Sequence, residues 1–145
     1  MARSTICGDT GQGATITATA GLTSWQGKPR TIDFSDDAID MLDCSHLGTT
    51  GFRSEVATDL RDGIEVSITY LFDTFDSLPA VGGSLGTFTV TFPLRTGETT
   101  AANVAGTAFV KSHQLPSLKL GELQEGKLTV KYDNVGVPMV FTKST

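Results

Sequence analysis

The sequence predicts an all-β domain, a sandwich or barrel of about seven to eight short antiparallel strands with at most one short helix. Three observations predict it. Apolar and polar residues alternate strictly in several segments, which is the period of a half-buried strand. Thr is abundant and its branched Cβ suits a pleated surface, while sixteen Gly provide for many turns. Long runs of the helix formers Ala, Glu, Lys and Leu are absent.

The elements follow in order. Ala14 to Ala20 and Thr31 to Phe34 are short β candidates. Ser35 to Leu42 opens with cap-like residues and acids, so it reads as a two-turn helix or an extended acidic loop. The clearest strand is Ile64 to Tyr70, with Ile64, Val66, Ile68 and Tyr70 directed to a core and Glu65, Ser67 and Thr69 away from it. Asp62-Gly63 precedes it as a turn signal in which Gly suits a positive φ. Thr87 to Phe92 repeats the alternation, and Pro93, which cannot donate to a ladder, ends it. Thr107 to Lys111 is a further strand. Ser117 to Leu123 is a turn or bent strand, Lys127 to Tyr132 alternates again, and Val137 to Thr142 is the last candidate.

The 145 residues fit one domain, 1–145, long enough to bury a core without disulfides or metals. A formal charge of −5 argues against a nucleic-acid-gripping protein, because phosphate binding needs clustered Lys and Arg. No N-terminal apolar run resembles a signal sequence, and no segment approaches the roughly 20 apolar residues of a membrane span. Folding in a cytoplasm is expected, with no membrane partner and with Cys7 and Cys44 as thiols; a disulfide between them is the alternative.

Motifs with chemical meaning are weak, and no catalytic centre, metal or cofactor is expected. Gly82-Gly83-Ser84-Leu85-Gly86 matches the G-x-S-x-G nucleophile elbow, which needs a strand before it and a helix after it. A proline-containing loop precedes this copy and a strand follows, so a strand-opening loop is the expectation. Gly8 to Gly13 lacks the Lys and the helix of a phosphate loop. Cys44 and His46 are close-set, but structural zinc shows two paired spacings, and His46 and His113 read as polar surface or interface residues. Asp33, Asp36, Asp37, Asp40 and Asp43 have no basic residue among them and no calcium-loop Gly. They form either a solvated acidic face or a negative stripe along a passage. Glycoside chemistry would want an aromatic platform, and Trp25 is the only Trp.

Threonine-coated strands with few blocking Lys or Pro leave sheet edges open to another chain. Pairing with further copies, or a monomer whose loops cover its edges, both satisfy the residues.

Several segments, taken together, resemble the tail tube (major tail) proteins of long non-contractile-tailed phages. They are Leu42 to Arg53, Leu60 to Val66, the strand exit Leu71-Phe72-Asp73, Thr87 to Pro93, Gly106 to Ser112 and Lys127 to Lys131. The likeness runs in order over residues 14 to 132, and it rests on order and spacing more than on any one motif. It implies a tail-tube-like β-sandwich and a virion protein assembled in the host cytoplasm. Its partners would be itself, in stacked six-membered rings, and other tail proteins, with DNA passing non-specifically through the lumen. It further implies that Asp36 to Asp62 is an excursion contacting the neighbouring ring, expected here as a loop that orders on stacking, with Leu47, Phe52, Arg53, Val56 and Leu60 as contacts. Six copies at −5 each carry −30, a charge that lets DNA slide without sticking. Asp33, Asp36, Asp37, Asp40, Asp43 and Glu65 are the candidates for that lining. The family's helix after the Phe-Asp strand end has little room in Thr74 to Leu85, which contains Pro79, Gly82 and Gly83. The rival expectations are a monomeric β-sandwich binding module, a terminator or connector ring that does not extend, and an enzyme built on Ser84 or the acidic cluster.

Overall fold

A computed structural model of the chain describes residues 11–22, 28–48, 50–72 and 78–145. Every regular element among them is a strand: β1 (Thr15–Ala18), β2 (Lys28–Phe34), β3 (Ile39–Asp43), β4 (Glu55–Arg61), β5 (Glu65–Leu71), β6 (Ser84–Thr91), β7 (Asn103–Gln114), β8 (Glu125–Tyr132) and β9 (Val140–Thr142). Seven form one antiparallel sheet in the order β1-β6-β7-β8-β5-β2. The seventh, β9, pairs with β7 beyond the end of β8. β3 and β4 form a separate two-stranded ribbon.

Period-two alternation explains the core. In β5, Val66, Ile68 and Tyr70 are fully buried and their neighbours are half-buried. β8 places Val130 opposite Val66 and Leu128 opposite Ile68, so both strands turn the same face inward. Phe88 of β6 pairs with Gly106 of β7, and the absent side chain leaves space for the Tyr132 ring, 6.0 Å from that of Phe88 at 59°. The buried Tyr132 hydroxyl donates to the carbonyls of Phe88 and Val104, each at 3.2 Å, so it is satisfied without water. Burial drives its pKa well above the ordinary tyrosine value.

The sheet rolls on itself. Phe34 at the end of β2 stacks on Phe92, just past β6, with centroids 6.1 Å apart. The two edge strands, β1 and β2, then flank clefts without pairing to each other. The larger, of about 660 Å³, is lined by Ala14, Pro29, Ile32, Val90, Phe92 and Pro93. The result is a barrel open along one seam.

All seven strand candidates exist, several of them longer than their alternation implied. Three expectations are corrected. Ser35 to Leu42 is not helical: its second half is β3, because Ala38 and Cys44 bond across to the returning chain. The Asp62 N–H reaches the Ala38 carbonyl at 3.0 Å, and the Cys44 N–H reaches that of Ser54 at 2.7 Å. The excursion Asp36 to Asp62 therefore carries a two-stranded ribbon, where a loop was expected. Gly63 does not adopt positive φ. It is there for space, since a Cβ would lie 2.3 Å from the Tyr132 carbonyl oxygen. Ser117 to Leu123 is a loop with a single turn, and residues 78–83 contain no helix. Cys7, Trp25, Asp73 and the start of the Gly8 to Gly13 loop lie outside the described residues.

Candidate assembly interface

The barrel has two poles. β2 ends and β5 begins at one pole, and the chain between them leaves as the β3–β4 arm. Ser35 anchors its root: its N–H donates to the Glu65 carbonyl at 2.9 Å and its Oγ accepts from the Glu65 N–H at 2.8 Å. Within the arm, Leu42 lies opposite Val56 and Met41 opposite Ala57, with a bulge between Ile39 and Met41.

The arm buries no described residue against its own barrel. Every side chain of β3 is exposed, and Leu47 and Phe52 at the tip are 109% and 96% exposed. Isolated two-stranded ribbons are marginal in water. Beyond its backbone ladder this one carries two exposed ion pairs, Asp37 with Arg61 near the root and Asp43 with Arg53 near the tip. The Arg61 hydrogen bond holds the Asp37 carboxyl below its ordinary pKa, and the Arg53 hydrogen bond does the same to Asp43, helped by the Ser45 N–H. By sequence, residues 36–62 hold seven acids against Arg53 and Arg61, a net −5 that equals the charge of the whole chain. The rest of the molecule is formally neutral.

The sequence-predicted contact residues fall together on this arm. Leu47 and Phe52 form its tip, Arg53 is engaged with Asp43, and Val56 is an exposed residue of β4. Leu60 belongs to β4, and its side chain lies outside the described residues. The six acidic candidates are less uniform than a bare stripe. Asp33, Asp36 and Asp40 are exposed, whereas Asp37 and Asp43 face arginines. Glu65 sits on the barrel wall 2.5 Å from the Lys111 ammonium and 3.8 Å from that of Lys131; the Lys111 hydrogen bond lowers its pKa. Sequence reasoning missed these partners because they are distant in sequence. The fold brings them together across strands, with Lys131 directly opposite Glu65 on β8, and no local pattern does.

The chemical motifs take structural places. Ser84 opens β6 and its Oγ accepts from the Gly86 N–H at 3.2 Å, so a strand stands where an elbow needs a helix. His113 is half-buried: beyond the bulge after Val110 it lies opposite Leu128, and its Nε2 is 2.5 Å from the Tyr70 hydroxyl. Desolvation lowers its pKa. His46 is at the arm tip, where its Nδ1 accepts from the Gly48 N–H at 3.1 Å. Cys44, exposed beside it, is a free thiol. Among the described residues, no group of three His, Cys, Asp or Glu lies close enough to hold a metal ion.

No protein-family model matches the chain, and no curated protein matches it in sequence. A solved structure does match in shape: the sheath/tube terminator of an extracellular contractile injection system (PVC), determined by cryo-electron microscopy in the extended state. The TM-score is 0.67 at 10% identity, over 96% of this chain and 99% of that one. The chain has the fold of that terminator. The expected all-β, tail-tube-like architecture is thus present, and the likeness leaves almost no segment of either chain outside it.

Proposed function

We propose that this protein is a structural component of a phage-tail-like particle, a terminator-type subunit whose copies associate through the β3–β4 arm into a ring. The observation that carries the reading is the arm: a two-stranded ribbon, clipped by Asp37–Arg61 and Asp43–Arg53, that presents Leu47 and Phe52 to solvent and buries none of its described residues. Exposed apolar surface of this kind marks an interaction site. The near-complete overlap with a sheath/tube terminator supports the choice of particle and of place within it.

The tube-subunit reading remains as a second one, favoured by the ordered likeness of Leu42 to Arg53 and the segments after it. Negative-stain microscopy separates them. A terminator gives single rings that do not lengthen with concentration; a tube subunit gives stacked rings and tubes. A monomer at all concentrations removes both and leaves the binding module. In either assembly the acidic arm, with Asp33, Asp36 and Asp40 in solvent, would present DNA with a repelling surface, and no catalytic role is assigned to any residue.

A further inference from the structure

We propose that the leucine loop at the opposite pole, residues 115–124 between β7 and β8, is the receptor for the arm of a second copy. The inference rests on the self-associating reading above and names the partner surface. Leu115, Leu118, Leu120 and Leu123 are all exposed, Leu120 completely so at 104%. The loop is built to present them. A turn from Lys119 to Glu122, with Gly121 at φ +76°, holds Leu120 at its corner, and the Phe72 N–H ties the loop down at the Gln124 carbonyl, 2.9 Å away.

Charge selects the occupant. The loop's only charges, Lys119 and Glu122, lie 3.9 Å apart and cancel. The arm tip from Cys44 to Phe52 likewise carries no formal charge, so apolar Leu47 and Phe52 would meet apolar Leu118 and Leu120 with no ion to desolvate. Behind the tip the arm is acidic. Around the loop Arg30 pairs with Glu125 and Lys119 with Glu122, so Lys28, opposite Leu71, and Lys127, opposite Thr69, are the basic excess among the described residues. An arm-to-arm pairing would instead oppose two surfaces of −5 each, which like-charge repulsion disfavours.

Geometry makes the contact intermolecular. β5 runs from the arm pole at Glu65 to the loop pole at Leu71, which pairs with Glu125 just after the loop. The seven residues of β5 put about 20 Å between the poles, and Leu47 and Phe52 at the arm tip are exposed, so the tip is not seated on the loop of its own copy. A contact between unlike surfaces of identical copies is heterologous, and it propagates until it closes a ring or extends a filament.

The test uses two double variants at exposed positions, Leu118→Asp/Leu120→Asp and Leu47→Asp/Phe52→Asp, in sedimentation velocity at concentrations where the wild type assembles. Circular dichroism confirms the strands in each. Each variant alone is expected to be monomeric, weakened at least about 30-fold as for a binding hot spot. Their equimolar mixture is expected to give a two-copy species and nothing larger, because it contains one working arm and one working loop per pair. Wild-type assembly by Leu118→Asp/Leu120→Asp, or a mixture that stays monomeric, overturns the pairing and leaves self-association standing. A wild type that remains monomeric at millimolar concentration overturns both.

Discussion

Gly63 stands where the arm rejoins the barrel, and Gly63→Ala tests the packing there. The added Cβ would lie 2.3 Å from the Tyr132 carbonyl oxygen, inside the 3.0 Å that real Cβ atoms essentially never breach. The obstacle is main chain, so no rotamer relieves it. The same junction carries the Tyr132 N–H to Ile64 carbonyl bond at 3.1 Å, and pushing β8 outward stretches it. Overpacking a close contact destabilises by about 1–3 kcal/mol, and an overlap with backbone belongs at about 3. For a domain of this length that lowers Tm by about 10 °C. With an m-value of about 2 kcal/mol/M, it moves the urea midpoint down by about 1.5 M. Gly11→Ala is the control: nothing lies within 4 Å of its Cβ and its φ is not positive, so its stability should stay within about 0.5 kcal/mol of wild type. Coincident urea midpoints for the two variants would refute the close approach.

Other outcomes follow from the same contacts. Tyr132→Phe leaves the Phe88 and Val104 carbonyls without their shared donor and should lower stability by about 1–3 kcal/mol in chemical denaturation. Acidification should loosen the arm before the barrel. The Asp37 and Asp43 pKa values are lowered in the fold, so their stabilisation is complete above the unfolded value of about 4 and disappears as pH falls through the lower folded values. Amide protection in β3 and β4 should fall there while β5 and β8 stay protected, as read by NMR hydrogen exchange. Replacing Asp33, exposed on β2 outside the arm, by Lys should slow DNA passage through an assembled particle while rings still form; release kinetics equal to wild type would contradict an acidic passage.

The barrel was legible because one face of each strand has to be dry. Val66, Ile68 and Tyr70 recur at period two, and so do Leu128, Val130 and Tyr132, because a one-residue slip would put them in water. β3 and β4 lack that constraint. Ile39-Asp40-Met41-Leu42-Asp43 faces solvent on both sides, nothing enforces alternation, and its clustered acids imitate the first turn of a helix. Their true partners, Arg53 and Arg61, are 10 and 24 residues away, beyond any local pattern. The glycine before β5 was located correctly but for the wrong reason, because a sequence does not show which backbone will pass beside it. The arm residues Leu47, Phe52 and Val56 were grouped through likeness to a family, whereas the leucine loop carried no such sign and emerged from exposure alone.

The slit between β1 and β2 gives the wall a preferred line of yielding. Those strands can move apart without breaking a ladder between them, whereas parting β5 from β8 would undo seven registered pairs. A load applied across the barrel therefore widens the slit first, and the apolar lining around Ile32, Val90 and Phe92 takes the strain while the hydrogen-bonded wall keeps its shape.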